Sequence, residues 1–150
     1  GVLIVSPAPR IRHQRVAGRL YKALDQALPD DLELFFAPVD VVLAEDTVIQ
    51  PDLLVAPSDA FTDRDLPTAP LLAVEVLSPS TRGVDLLLKK ERLQRAGCPH
   101  YWVVDPDEPS IVAWSLDEGV YREVARASGA EAFEVAEPFA VRLTPASLVD

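Results

Sequence analysis

Among 150 residues there is one cysteine, Cys98. A lone thiol forms no internal disulfide and no cysteine-rich metal cage, so a disulfide scaffold is excluded and a reducing compartment is permitted; the cytoplasm is the expected location. Glycine is scarce, with six residues, and neither G-x-x-x-x-G-K nor G-x-G-x-x-G occurs, so no loop that cradles a nucleotide cofactor is expected. No apolar run approaches the ~18 residues that a membrane span requires, which argues against a membrane partner. The opening G-V-L-I-V-S is too short for a signal-peptide core. Because the chain starts at Gly1 and enters at once into an apolar run, we expect it to begin inside a longer natural sequence, with an N-terminal segment missing.

What is present reads as globular. Hydrophobic residues make up 49% and charged residues 25%, enough for a real core and too apolar for a disordered chain. Since domains commonly run about 100 to 150 residues, residues 1–150 are expected to form one domain. The formal net charge is −10, which argues against indiscriminate binding to a phosphate backbone. The distribution qualifies that. Arg10, Arg12, Arg15, Arg19 and Lys22 precede the first acid, Asp25, and Arg82, Lys89, Lys90, Arg92 and Arg95 share a segment with only Asp85 and Glu91. Two solvated helix faces are one reading of these runs. The other is an electropositive approach to an acidic body, with Arg12, Arg15 and Arg82 as nucleic-acid contacts.

Periodicity predicts a first helix over 11–28, where Val16, Leu20, Ala23, Leu24 and Ala27 recur at helical spacing until Pro29. Residues 32–43 read as extended and broken by Pro38, which suggests a bulge or an edge. Residues 52–56 and 71–77 look like neighbouring antiparallel strands. Ser78 and Ser80 supply cap hydroxyls for a second helix over 84–96, which Gly97 ends. Residues 100–104 and 111–116 form a hairpin around a turn-rich insert, 120–125 add a strand, and 139–150 give a short strand and the start of a helix at Pro145. The fold class is mixed α/β or α+β, a central sheet flanked by two helices.

Most carboxylates belong on a surface, so those embedded in apolar runs ask for a reason. Glu75 lies between Val74 and Val76, and Asp52 opens the preceding strand. A hairpin register that pairs 56 with 71 carries 52 opposite 75, placing both acids at one end of the sheet. Two hard oxygen donors with open water positions suit Mg²⁺ or Mn²⁺. On the helical wheel Lys89 shares a stripe with Asp85, Leu86, Leu93 and Ala96 and leans toward the core edge. There it could stabilise negative charge on a phosphodiester or orient an attacking water. Lys90 is the competing lysine, and an ordinary ion pair with Asp85, worth about 0.2–0.5 kcal/mol, is the plain alternative for Lys89.

The stretch Pro51-Asp52, then A-V-E-V-L-S-P-S-T-R, D-L-L-L-K and R-A-G-C-P-H-Y-W-V-V-D-P, together with the opening G-V-L-I-V-S-P-A-P and H-Q-R-V-A-G-R-L, resembles the Uma-two family of restriction-endonuclease-like proteins. That family is a branch of the PD-(D/E)XK nuclease superfamily. The resemblance spans about four fifths of the chain, with residues 75–106 its most specific part. It implies a restriction-endonuclease-like core with a central mixed sheet, and Asp52 and Glu75 as metal ligands. The superfamily's usual lysine would fall at Leu77, so Glu75-Val76-Leu77 departs from the pattern. Members of the family draw the lysine from the following helix, which matches Lys89. A glutamate that family members carry shortly before the position of Gly1 lies outside the chain.

His13 sits on the apolar stripe of the first helix, where a core role is the commoner outcome, and His13 with Gln14 is a second-tier contact to a metal-bound water or the scissile phosphate. Asp85 and Lys90 belong to the same second tier. Cys98 and His100 are too few for a zinc site, Tyr101 and Trp102 read as core aromatics, and Ser78 and Ser80 lack the partners of a hydrolase nucleophile. The expected function is Mg²⁺-dependent (or Mn²⁺-dependent) hydrolysis of DNA, with a homodimer as the form that cuts both strands. The alternative is a nuclease-fold module that binds nucleic acid or protein without turnover.

Overall fold

The computed structural model describes residues 10–79 and 83–150. Its elements in chain order are α1 (Ile11–Ala27), β1 (Leu32–Phe36), β2 (Asp40–Ala44), β3 (Thr47–Ile49), β4 (Leu53–Pro57), β5 (Asp65–Leu66), β6 (Leu72–Val76), α2 (Val84–Ala96), β7 (His100–Asp105), β8 (Ser110–Asp117), β9 (Val120–Ser128), β10 (Phe133–Val135) and β11 (Val141–Leu143). A 3-10 turn, Pro145–Leu148, follows β11.

Six strands form the main sheet in the order β1-β4-β6-β7-β8-β9. Every neighbouring pair is antiparallel except β6 and β7, which run parallel and are joined by α2. A parallel pair needs a crossover of this kind, because a tight turn cannot return the chain to the same end. The sheet is therefore mixed, with one helix on each face, as the sequence predicts.

Alternation along the strands builds two cores. On one face, Val16, Leu20 and Leu24 of α1 pack against Leu53, Val55, Leu72, Val74, Trp102 and Val104. Here Trp102 meets Phe133 edge to face at 5.1 Å, so the β10 and β11 segment closes this core. On the other face, Leu93 of α2 joins Leu54, Ala56, Ala73, Tyr101 and Tyr121. Strands β4 and β6 are buried along nearly their whole length, which is why both read as continuous apolar runs.

Two expectations need correction. The extended run 32–43 is two strands and carries no bulge at Pro38: β1 lies at an edge of the main sheet, the other placement expected, while β2 crosses to a three-stranded sheet with β3 and β5. The break falls at Pro38, which has no N–H for a ladder. The N-cap position of α2 is occupied by Gly83 and not by a hydroxyl residue; Ser80 lies outside the described residues. The C-terminal stop is as read. Gly97 is left-handed at φ 82° and donates to Gln94, and Cys98 N–H donates to the Leu93 carbonyl at 3.0 Å. Among the described residues no helix is long and apolar enough to cross a membrane.

Candidate functional site

The β4–β6 ladder pairs Leu53 with Val74, Leu54 with Ala73 and Val55 with Leu72. Continued by one residue, this register sets Asp52 opposite Glu75, the pairing expected from the sequence. Opposite residues share a face of the sheet, and here it is the face of Ala73, Leu54 and α2. The sheet end is pinned by main-chain groups. Val76 N–H donates to Asp52 Oδ2 at 2.7 Å, and Ala37 N–H donates to the Asp52 carbonyl at 3.0 Å.

Both helices deliver a cationic or titratable group to this end. Lys89 of α2 brings its Nζ to 3.6 Å from Glu75 Oε2. His13 of α1 brings Nε2 to 3.6 Å from Asp52 Oδ2, and its Nδ1 stands 3.2 Å from Gln14 Oε1. With Nδ1–H donating to Gln14, Nε2 is the nitrogen left facing the carboxylate.

Burial dominates the electrostatics. Glu75 is 3% exposed, and desolvation, then repulsion from Asp52, pushes its carboxyl up to about 8, with Lys89 pulling the other way. Its Oε1 is buried with no hydrogen-bond partner among the described residues. Hydrogen bonding to Asp52 raises His13 above the usual imidazole range, against the opposing effect of burial. The pair of acids thus favours holding a positive charge.

Other expected residues fall elsewhere. Lys90 sits over the ring of Trp114, 3.9 Å from its centroid, so it is turned away from the carboxylates. Leu77, at the superfamily's lysine position, packs into the α2-side core, leaving Lys89 as the ammonium at Glu75. Asp85 joins Lys89 and Arg92 in lining a cleft of about 370 Å³ against Asp40 and Gln50. Arg12 is tied to Asp107 at 3.3 Å in an exposed pair, and Arg15 is exposed on α1. Arg82 lies outside the described residues.

Two features escaped the sequence reading. The β2–β3 flap, where Gln50 Nε2 donates to Asp40 Oδ1 at 2.7 Å, walls the Lys89 cleft, and β3 is too short for its pattern to stand out. The hydroxyl of Tyr101 is buried without a partner among the described residues; its proton is held more tightly through burial, with Glu75 and Asp52 adding to the effect.

The family described as "Putative restriction endonuclease", Uma2, matches residues 1–146. The chain belongs to the Uma2 family. A Uma2 chain is thereby placed among nuclease-like proteins, in agreement with the resemblance read from residues 75–106. A crystal structure from Anabaena variabilis ATCC 29413, described as "a putative nuclease belonging to DUF820", superposes with a TM-score of 0.75 over 97% of this chain and 84% of that one, at 18% identity. At that identity the likeness supports the fold. No curated protein matches the sequence.

Cys98 and His100 stay apart from the carboxylate site in this Uma2 chain. Cys98 is buried and lies 3.3 Å from the His100 carbonyl, to which its thiol donates; burial pushes the thiol up to about 11. Because the thiolate is the nucleophile, the folded protein should not react with a disulfide reagent such as DTNB at neutral pH. One thiol should become reactive on unfolding in guanidinium. Rapid labelling of the native protein would contradict this burial.

Proposed function

We propose that this protein is a Mg²⁺-dependent endonuclease-like phosphodiesterase acting on DNA, with Asp52 and Glu75 as the residues that hold the ion and Lys89 as the cation that assists the attack. The observation that carries the reading is the convergence of two distant acids on one face of the sheet, with Lys89 Nζ 3.6 Å from Glu75 Oε2.

The residues present suit a hard divalent ion. Mg²⁺ is commonly bound through one or two carboxylates while it keeps several waters. Two acids meet that requirement, although among the described residues no group of three or more His, Cys, Asp or Glu side chains is placed to hold a metal ion. The unpartnered Glu75 Oε1 is a buried acceptor that such an ion would satisfy. Bound there, the ion supplies Lewis-acid polarisation of a phosphoryl oxygen and a lowered pKa for a bound water.

The chain's own groups do the rest. The Val76 N–H fixes Asp52 before any substrate arrives, so its orientation costs nothing at the moment of reaction. Lys89 is partly open to solvent, with 23% of its side chain exposed, and its ammonium beside Glu75 can reach an incoming phosphate. Its ammonium offsets the negative charge that builds on the phosphoryl oxygens as water attacks phosphorus and the bond to the leaving oxygen breaks. His13, beside Asp52, is positioned to exchange a proton with water or with the leaving oxygen.

Nicking of supercoiled plasmid in Mg²⁺ tests the assignment. Lys89→Met is expected to slow cleavage by about 10²- to 10³-fold while Mn²⁺ binding, followed by calorimetry, is retained. Wild-type protein that binds DNA and never cuts it would favour the alternative of a binding module, to which the net charge of −10 lends some weight. Equal cleavage by the two proteins would remove Lys89 from the reaction.

A further inference from the structure

A pocket of about 410 Å³ opens on the α1 side of the carboxylate site and shares His13 and Asp52 with it. Its outer wall is Phe36, the last residue of β1, which is 64% exposed. The ring is not loose. It meets Tyr21 of α1 edge to face, with centroids 5.5 Å apart at 76°, and Phe36 pairs with Leu53 in the ladder. The next residue, Ala37, donates to the Asp52 carbonyl at 3.0 Å, so this aromatic platform is tied through main-chain bonds to a residue of the carboxylate pair.

Gly18 lines the same pocket. It lies within α1, where glycine costs about 1 kcal/mol relative to alanine. A Cβ built on it would meet nothing within 4 Å, so no neighbouring atom of the protein requires the missing side chain. The position is exposed, so a larger side chain placed here would enter the open space of the pocket. Around that space stand the Gln14 amide and, at the far rim, Lys22, which offer hydrogen bonds and a positive charge beside an apolar slot.

We propose that this pocket binds one unstacked nucleobase of the strand whose phosphodiester lies at Asp52 and Glu75, with Lys22 meeting a neighbouring phosphate. The inference rests on the phosphodiesterase reading only for where the phosphate sits. An aromatic edge gives every base a π-contact, the Gln14 amide can meet a base edge, and the short tether from Phe36 to Asp52 keeps the base and its own phosphate within one nucleotide. A base still paired and stacked in a duplex keeps both faces covered and offers none to Phe36. The substrate class is therefore single-stranded DNA, or a duplex position whose base swings out, as enzymes that work on extruded bases require.

Fluorescence anisotropy with two labelled single-stranded oligonucleotides of equal length, one carrying bases and one wholly abasic, tests this with Ca²⁺ as the divalent ion. The wild-type protein should favour the base-carrying strand by about tenfold, within the range for stacking on an aromatic side chain. Gly18→Leu fills the slot with a good helix former, and Phe36→Ala removes the platform; both should abolish the preference, whereas Gly18→Ala should keep it. Thermal melting checks that each variant is folded. Equal wild-type affinity for the two strands, no binding of either, or a preference that survives Gly18→Leu overturns the proposal. Mg²⁺-dependent cleavage by wild type and Glu75→Ala is measured separately. A base preference without cleavage leaves the subsite standing and removes the phosphodiesterase reading.

Discussion

Replacing Glu75 by alanine is expected to abolish Mg²⁺-dependent cleavage, a loss of about 10³-fold or more, and at the same time to stabilise the metal-free protein at mildly alkaline pH. The two effects have one cause. Glu75 is 3% exposed, its Oε1 lacks a partner among the described residues, and its anion is opposed by burial and by Asp52. A buried charge with that environment is costly to keep unless a ligand compensates it. A side chain retained for packing would behave in the opposite way, since truncation would leave a cavity and lower stability. Lys89 would lose its partner, but its side chain is 23% exposed and can turn to water. Plasmid cleavage, Mn²⁺ calorimetry and thermal melting on one pair of proteins check both effects and the loss of the ion. Unchanged ion affinity in Glu75→Ala would remove the carboxylate pair from the proposed site.

In the absence of divalent ions, the wild-type protein should lose stability as pH rises. The folded state holds the Glu75 proton up to about 8, against an ordinary value of 4.5. Folding is therefore favoured fully below the ordinary carboxyl range, and this contribution is lost as pH climbs through about 8. His13 acts in the same sense: its pKa is raised from 6.5 by Asp52, so its contribution is full below the ordinary imidazole range and fades as pH passes the raised value. Together they set a window from mildly acidic to mildly alkaline pH over which stability should fall by on the order of a few kcal/mol. Mg²⁺ should restore most of the loss at the alkaline end, because a ligand that binds only the folded state stabilises it in proportion to its occupancy. Urea denaturation at several pH values, with EDTA and with Mg²⁺, measures both slopes. In Glu75→Gln the slope should flatten and the response to Mg²⁺ should disappear. A wild-type profile that is flat in EDTA would mean that burial and the neighbouring Asp52 do not keep Glu75 protonated.

Much of this was legible in the residues. The bounds of α2, Val84–Ala96, follow from an uninterrupted run closed by Gly97, because glycine reaches the left-handed stop without strain. The pairing of Asp52 with Glu75 follows from reading 52–56 and 71–77 as one hairpin with 56 opposite 71, because antiparallel pairing fixes every other pair once one is set. The family is legible in residues 75–106, the most specific part of the resemblance, and the family model matches residues 1–146.

The remainder depended on packing between distant parts of the chain. Lys89 and Lys90 are neighbours on one helix, and the wheel pointed to Lys89 without giving its partner; the docking of Leu93 into the α2-side core turns Lys89 to Glu75 and Lys90 to Trp114. The split of residues 32–43 into two sheets was likewise hidden, because Pro38 marks a break without saying where the chain goes next. The pocket under Phe36 is assembled from α1, β1 and the start of β4, three segments that no spacing rule connects. Periodicity along a chain determines which side chains share a face. Which faces then come together is decided by the burial of whole elements against one another, and that is settled only when the sheet and its two helices have closed.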